Sequence, residues 1–330
     1  MKPLRAGLIG AGRIAWQYDG GGWDGQSACV TLASCFHRHP QTQLVSVFDP
    51  VAGARLAFQN GYNGPGPVAV HETLTDFFAE DLDIVAIASP SQYHAAHIAA
   101  CLDAQVPRLW IEKPVTLDLA TYNDLRARIG QMSNPPRTCV NFLRRSLPQL
   151  AFMQQHLAQS PNRPAEIELT LRYSRGLAVN GVHMLDLLGA VTGATSIPPL
   201  DFIRALDPEN PQFGLSLCGY PVTVTGQSLG YHLIEFDITD SRGRLSLNRG
   251  GQTLTWEAAE PNPDYPGFFR LGTPNPVAGL EPGERAMQEA TFRMLCTLVD
   301  DSAPPISSLE TAWFSQALLE AVNMALTANR

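Results

Sequence analysis

Three short stretches of this 330-residue chain carry residue types and spacings that can do chemistry. Gly10-Ala11-Gly12-Arg13-Ile14-Ala15 has the form G-x-G-x-x-A. Such a turn brings backbone N–H groups against a pyrophosphate: Gly10 permits the tight turn, Gly12 lets the backbone approach, and Ala15 is small enough for strand and helix to pack closely. The second stretch, Trp110-Ile111-Glu112-Lys113-Pro114-Val115-Thr116-Leu117, begins as a buried strand and ends on an ammonium group followed by proline. Lysine is costly to bury and proline cannot continue a central strand. Taken alone, it reads as a strand surfacing into a solvated turn. The third, Asn180-Gly181-Val182-His183-Met184-Leu185-Asp186, offers an imidazole, which can act as general acid or base near neutral pH. A lone histidine on a helix is more often structural, so its company decides.

The elements that must position these residues fall into two groups. Up to residue 145, short apolar runs (Arg5–Ile9, Leu44–Phe48, Ile84–Ala88, Arg108–Glu112, Thr138–Phe142) alternate with helical patterns (Val51–Asn60, Leu74–Glu80, His94–Ala104, Leu119–Ile129). In the third of these, Ala95, Ile98, Ala99 and Leu102 fall on one helical face. Strand–helix alternation with nearly continuous apolar strands predicts a doubly wound parallel sheet covered on both sides, a Rossmann domain over residues 1–145. The period then changes. Ile167, Leu169, Leu171 and Tyr173 alternate with Glu166, Glu168, Thr170 and Arg172, and further alternating runs follow at 221–228, 231–239, 244–248 and 252–259. They predict an α+β domain over 146–330 with an open, mainly antiparallel sheet, one face free for solvent or a partner. A long irregular loop is expected over the Pro-rich residues 261–282. Helices are expected at Ala286–Val299 and Leu309–Ala328, the latter capped by Ser307 or Ser308.

Composition limits the function classes. Hydrophobic residues make up 45% and charged residues 16%, an ordinary globular balance. The formal net charge of −8 argues against a nucleic-acid partner. No apolar run approaches the roughly 18–20 residues that cross a bilayer, and no membrane partner is expected. The N-terminus lacks the apolar core of a secretory signal. Cys29, Cys35, Cys101, Cys139, Cys218 and Cys296 lie far apart in the sequence and form no C-x-x-C pair. They are expected as reduced thiols of a cytoplasmic protein, with neither a metal site nor a disulfide frame.

Asp49 ends the second strand, where a carboxylate accepts hydrogen bonds from ribose hydroxyls and repels a 2′-phosphate. The alternative is a strand-end turn residue beside Pro50. Its separation from the glycines exceeds the usual roughly 20 residues, which an insertion at 17–26 between the glycine turn and the body of the helix explains. NAD is therefore favoured over NADP.

With Ser89-Pro90-Ser91-Gln92-Tyr93-His94 added to the three stretches above, the chain resembles the Gfo/Idh/MocA family of NAD(P)-dependent oxidoreductases along nearly its whole length. The resemblance implies hydride transfer between NAD and a hydroxyl or keto carbon of a sugar, polyol or nucleotide-linked sugar. It places Lys113 at the carboxyl end of a strand, toward the nicotinamide and the reacting carbon, where an ammonium stabilises alkoxide character. It makes His183 the general acid or base, Glu112 a loop anchor near the cofactor, and Ser89, Pro90 and His94 a cofactor-side turn. His94 reads equally as a polar residue of a first helical turn. It also implies a homodimer or homotetramer through the open sheet. One departure matters: Val179 stands where many relatives carry an aspartate. Asn180 is the nearest substitute, holding the imidazole or a substrate hydroxyl, or else capping the helix. Tyr173, Arg172, Arg175 and Arg144 are candidates for the substrate cleft. Two other readings stay open: an enzyme that retains NAD through a net non-redox reaction on a sugar, and a non-catalytic cofactor-sensing protein.

Overall fold

The computed structural model describes residues 2–19, 29–205, 207–280 and 285–328. It resolves into two compact units, Met1–Ser146 with Met287–Trp313, and Leu147–Ala286 with Phe314–Arg330. The second unit is therefore not the uninterrupted segment 146–330. The chain returns to the first unit because Met294, Leu295, Leu298 and Val299 bury their side chains in the cluster formed by Ala6, Leu8, Leu44, Phe36 and Trp110. At about 25 cal/mol per Å² of apolar surface, burying each of these side chains is worth roughly 1.5–3 kcal/mol.

The first unit contains β1 (Leu4–Ile9), α1 (Leu32–Arg38), β2 (Thr42–Phe48), α2 (Ala52–Gly61), β3 (Ala69–His71), α3 (Leu74–Phe78), β4 (Ile84–Ile87), α4 (His94–Asp103), β5 (Arg108–Ile111), α5 (Leu119–Gly130) and β6 (Arg137–Val140). The strands form a parallel six-stranded sheet in the order β3-β2-β1-β4-β5-β6, the doubly wound arrangement. β3 is a strand that residue pattern alone did not distinguish. Its three residues are only half-buried and leave little apolar signal. Asp118 caps α5 through the Thr121 N–H at 2.7 Å.

The strand exits lie in one row. Phe48, Ile9, Ile87, Ile111 and Val140 are register partners across five strands. Immediately beyond them the ladder continues: Gly10 N–H donates to Phe48 O, Ala88 to Ile9 O, Glu112 to Ile87 O and Asn141 to Ile111 O, at 2.8 to 3.0 Å. One edge of the sheet therefore emits every strand-end residue singled out above.

The second unit contains α6 (Pro148–Ala158), β7 (Glu168–Ser174), α7 (Val182–Thr192), β8 (Leu200–Arg204), β9 (Gln212–Leu217), β10 (Tyr220–Gln227), β11 (Ile234–Asp240), β12 (Gly243–Asn248), β13 (Thr253–Pro261), β14 (Phe269–Leu271) and β15 (Asn275–Pro276). Its nine-stranded sheet runs β14-β13-β12-β11-β7-β10-β9-β8, with β15 paired to β13. All pairs are antiparallel except β7 with β10, so the sheet is mixed. The alternation along β7 is as expected: Leu169, Leu171 and Tyr173 are buried, while Arg172 on the other face pairs with Glu235 and Asp237, each at 2.9 Å. The Pro-rich stretch is not wholly irregular, because β14 and β15 take part of it into the sheet; Glu281 and Pro282 lie outside the described residues. Of the last two helices, α8 spans Ala286–Val299 and α9 spans Trp313–Ala328. Residues 309–312 form a turn before α9, and Ser308 Oγ accepts from Thr311 N–H at 3.2 Å.

All six cysteines are free thiols: four are buried, Cys296 is half-buried and Cys218 exposed. Their separation in sequence is misleading in one case, since Cys29 and Cys35 lie near enough for each thiol to shift the other's pKa. No described helix is long and apolar enough to cross a membrane, and no group of described residues makes a metal cluster.

Candidate active-site residues

The glycine turn is built as its sequence requires. Gly10 sits at φ 102°, and a Cβ there would meet Ser89 N at 2.8 Å and the Ala88 carbonyl carbon at 2.9 Å, so any side chain would collide with the β4 exit. Among the described residues, nothing lies within 4 Å of the position a Cβ on Gly12 would take. That open approach to main chain is what a pyrophosphate needs. Ala15 is fully buried. Arg13 is exposed and Ile14 half-buried.

The helix that follows is spliced. Trp16 N–H closes one turn on Gly12 O at 3.2 Å. The helical ladder resumes when Leu32 and Ala33 N–H donate to Ile14 O and Ala15 O, at 3.1 and 2.9 Å. Everything from residue 17 to Val30 is inserted between these turns. Asp19 ties the far end back, accepting from Val30 N–H at 3.1 Å and from the Thr31 hydroxyl. Of the insertion expected at 17–26, residues 20–26 lie outside the described residues; the ladder bonds bracket a longer interruption, from 17 to Val30. Trp16 was not singled out by its spacing, yet its Nε1–H donates to Ala11 O at 2.8 Å and pins the turn from below.

Asp49 faces the same turn. Its Oδ2 accepts from Ala11 N–H and its Oδ1 from Val51 N–H, both at 2.9 Å. Each carboxylate oxygen keeps a second acceptor site, so this geometry leaves room for a ribose hydroxyl. Arg55, the nearby cation in α2, donates to the main-chain oxygens of Asp49 (2.9 Å) and Pro50 (3.0 Å) and to Glu72 (2.7 Å). An open glycine turn, a carboxylate against it and, among the described residues, no side chain over Gly12 make a fit for a dinucleotide.

At the β4 exit, Ser89 Oγ bonds His97 Nδ1 at 2.8 Å, and Pro90 is exposed. His94 is buried, its ring turned onto main-chain oxygens of the protein itself. At the β5 exit, Glu112 points inward: its Oε1 accepts from Asn141 Nδ2 at 2.5 Å, and its Oε2 accepts from Lys113 N–H at 3.3 Å. Burial pushes the Glu112 carboxyl above its ordinary range, against the pull of Asn141 and Lys113. Glu112 therefore anchors the loop, and the partner that anchors it, Asn141, carried no signal in the sequence. The Lys113–Pro114 peptide is cis. Lys113 is half-buried; burial lowers its pKa from the lysine value, the Glu112 carboxylate opposes that, and the Arg144 guanidinium reinforces it.

In the second unit, β7 ends in a tight turn with Arg175 at φ 66°. A π-helical turn over Leu177–Gly181 then leads into α7. Asn180 is buried in that turn, and its Nδ2 donates to Ser174 O at 2.9 Å, so its amide donor braces the turn instead of reaching for the imidazole. His183 and Asp186 are both buried, on a helix whose side chains are buried continuously from Val182 to Gly189. Val179 is 59% exposed. Of the cleft candidates, Tyr173 is removed: it is fully buried and its hydroxyl donates to Pro211 O at 3.2 Å. Arg172 is engaged with Glu235 and Asp237, Arg175 is exposed, and Arg144 is buried in the first unit near Lys113.

The first unit is, by fold and by the row of residues along its sheet edge, a dinucleotide-binding Rossmann unit. Residues 4–134 match the profile of the Gfo/Idh/MocA family, described as "Oxidoreductase family, NAD-binding Rossmann fold". An inositol 2-dehydrogenase of Mycolicibacterium gilvum (strain PYR-GCK) is 31% identical over 105 residues, which span 29% of this chain and 30% of that protein. Similarity of fold extends over both units. The UDP-N-acetylglucosamine 3-dehydrogenase of Acidithiobacillus ferrooxidans superposes with a TM-score of 0.72 at 18% identity, covering 99% of each chain. A 3-ketoreductase of Actinomadura kijaniata, solved with TDP-benzene and NADP, does so with a TM-score of 0.70 at 18% identity, covering 97% of each chain.

Proposed function

We propose that the chain is an oxidoreductase that transfers a hydride between NAD(H) and a hydroxyl or keto carbon of a sugar, polyol or nucleotide-linked sugar. The observation that carries this reading is the shared register of the strand exits, which brings Gly10, Gly12, Asp49, Ser89 and Lys113 out along one edge of the parallel sheet. Ligands of open α/β sheets bind beyond that edge. When bound, NAD supplies or accepts the hydride. The main chain at Gly10–Gly12 meets the pyrophosphate, and Asp49 accepts from ribose hydroxyls. Arg55, held by two carbonyls and Glu72, offers no ready guanidinium to a 2′-phosphate, which supports NAD over NADP. The Lys113 ammonium stabilises negative charge on the substrate oxygen, and His183 carries the proton. The substrate class is supported by the partial match to a protein that acts on inositol.

The test is absorbance at the reduced-nicotinamide band while sugars, polyols and nucleotide sugars are presented with NAD and with NADP. Turnover with NAD is expected. Absence of binding of either dinucleotide would overturn the reading. We propose further that the ion-paired face of the second unit's sheet, with Arg172 set between Glu235 and Asp237, associates with a second copy. Sedimentation is expected to give a dimer or tetramer at micromolar concentration, and monomer alone would remove this part.

A further inference from the structure

His94 opens α4 with 1% of its surface exposed. Both ring nitrogens sit on main-chain oxygens: Nδ1 is 2.8 Å from Pro114 O, and Nε2 is 2.7 Å from Ser89 O. A carbonyl oxygen can only accept. A neutral imidazole carries one N–H, so it can serve one of these oxygens while its bare nitrogen turns a lone pair against the other. Only a ring with both protons makes the two contacts as hydrogen bonds.

We propose that His94 is a doubly protonated brace that ties the β4 exit to the Lys113 loop and thereby positions the Lys113 ammonium. The positioning claim rests on the hydride-transfer reading above; the charge state of the ring does not. Ser89 and Pro114 belong to the exits of adjacent strands, and Pro114 directly follows Lys113. A ring bonded to both carbonyls fixes the spacing of the two loops, while a ring that gives up one of them leaves the lysine's backbone held on one side only. His94 is a positioning residue.

The titratable group that interacts with it is His97 on the same helix, with Asp49 beyond His97; Lys113 immediately precedes Pro114 in the chain. Burial is the first cause that lowers the pKa of His97, and His94 adds to it, while Asp49 acts in the opposite direction. His97 Nδ1 lies 2.8 Å from Ser89 Oγ, a hydroxyl that can donate or accept, so this contact makes no demand for a second proton on His97. Burial holds the pKa of His94 below its ordinary value and the two carbonyls offset this only in part, so the charged ring is inferred from the two paired contacts and against the direction in which burial pushes. The contact lengths favour the charged ring, since in a neutral ring one of the two would have to hold at 2.7 to 2.8 Å across facing lone pairs.

The experiment uses the intact chain, labelled with 15N at histidine, and long-range proton–nitrogen spectra recorded across pH; the His94 signal is identified through its disappearance in His94→Gln or through bonds from its backbone. Two protonated ring nitrogens of closely similar shift at neutral pH are expected, with loss of that signature as pH rises. One protonated and one bare nitrogen at neutral pH would overturn the brace, whether or not the protein turns over any substrate. For positioning, His94→Gln can donate from one amide group only. It is expected to lower kcat by on the order of 10- to 100-fold with the KM for NAD unchanged, and to abolish the kcat limb that tracks the His94 titration. Unchanged kcat in a folded His94→Gln protein would overturn the positioning role. Should that variant fail to fold, the wild-type kcat limb and the His94 titration must still coincide, and their separation would overturn it equally.

Discussion

The sheet edge of the first unit and the β7–α7 entry of the second assign work to their residues in different ways. At the sheet edge, most of the shape is main chain. Glycine 10 is fixed by the neighbouring strand exit, Asp49 and Trp16 grip the turn by its N–H and C=O groups, and His94 and Glu112 are bonded to the protein's own backbone and to Asn141. Lys113 is half-buried at the end of its strand. At the β7–α7 entry the chain instead runs through a π-helical turn, spends the Asn180 amide on Ser174 O, and buries His183 and Asp186 within one helix. The first region is a cradle of main-chain contacts, and the second a buried helix that carries His183 and Asp186. The comparison teaches that much of what looks chemical in the sequence serves as scaffolding, which under the proposed function leaves Lys113 and His183 as the groups to test.

This division breaks most sharply at His183. Removing the imidazole with His183→Ala is expected to cut turnover by roughly 10²–10⁴ while NAD affinity, a property of the first unit, stays within a few-fold. Matched kcat and NAD-binding measurements check it. Full activity in the variant would return the proton-carrying role to another group.

Lys113→Ala tests the other half, with an expected loss on the order of 10² in kcat, the scale of a preorganised electrostatic partner, again with little change in NAD affinity. The pH profile sharpens it. Burial, with the Arg144 guanidinium adding to it, lowers the lysine pKa from its model-compound value of 10.5, so activity that needs the ammonium should decline with rising pH before that value is reached. Lys113→Arg keeps the charge at all working pH and should erase that limb while recovering only part of the rate.

Asp49→Ser is expected to cost less. It removes charge-assisted bonds to Ala11 and Val51 N–H along with the ribose acceptor, each such bond being worth about 1.5–3 kcal/mol. NAD affinity should fall about tenfold or more, and discrimination against NADP should relax. Calorimetry with both dinucleotides measures this. A wild-type preference for NADP would reverse the assignment.

How legible these regions were follows from the same distinction. The doubly wound order, the glycine turn and the spliced helix were all readable, because strand periodicity and backbone requirements act locally and leave residue types behind. β3 and β15 were not readable, being two or three residues long with half-buried or exposed side chains. Side-chain direction was the main loss. Tyr173 alternates inward on β7, which its sequence does say, yet only the Pro211 carbonyl explains why its hydroxyl needs no substrate. Asn180 lies three residues before His183, a spacing that faces it in an α-helix, but the π-helical turn changes that relation and nothing in Leu-Ala-Val-Asn-Gly announces it. The return of Met287–Trp313 to the first unit was equally silent, since an amphipathic helix does not say which core it joins.

The smallest expected effects lie beside that turn. Asn180→Ala leaves the Ser174 carbonyl without its side-chain donor in a buried setting, which costs about 1–3 kcal/mol of stability. Denaturant midpoints should register that loss, with kcat reduced far less than in His183→Ala, because the proton carrier itself is untouched. Val179→Asp adds a carboxylate four residues before His183. In a regular helix the two would share a face and the carboxylate would favour the protonated ring, moving the histidine limb of the rate profile to higher pH. Here the π-helical turn intervenes and Val179 is 59% exposed, so water screens most of the interaction. The expected displacement is therefore upward but below about one pH unit, with stability changed by no more than about 0.5 kcal/mol. A larger upward shift would mean that the aspartate reaches the imidazole despite the turn. In that case Val179 marks a pairing the protein lacks only for want of a carboxylate, and the two regions differ less than their present contacts suggest.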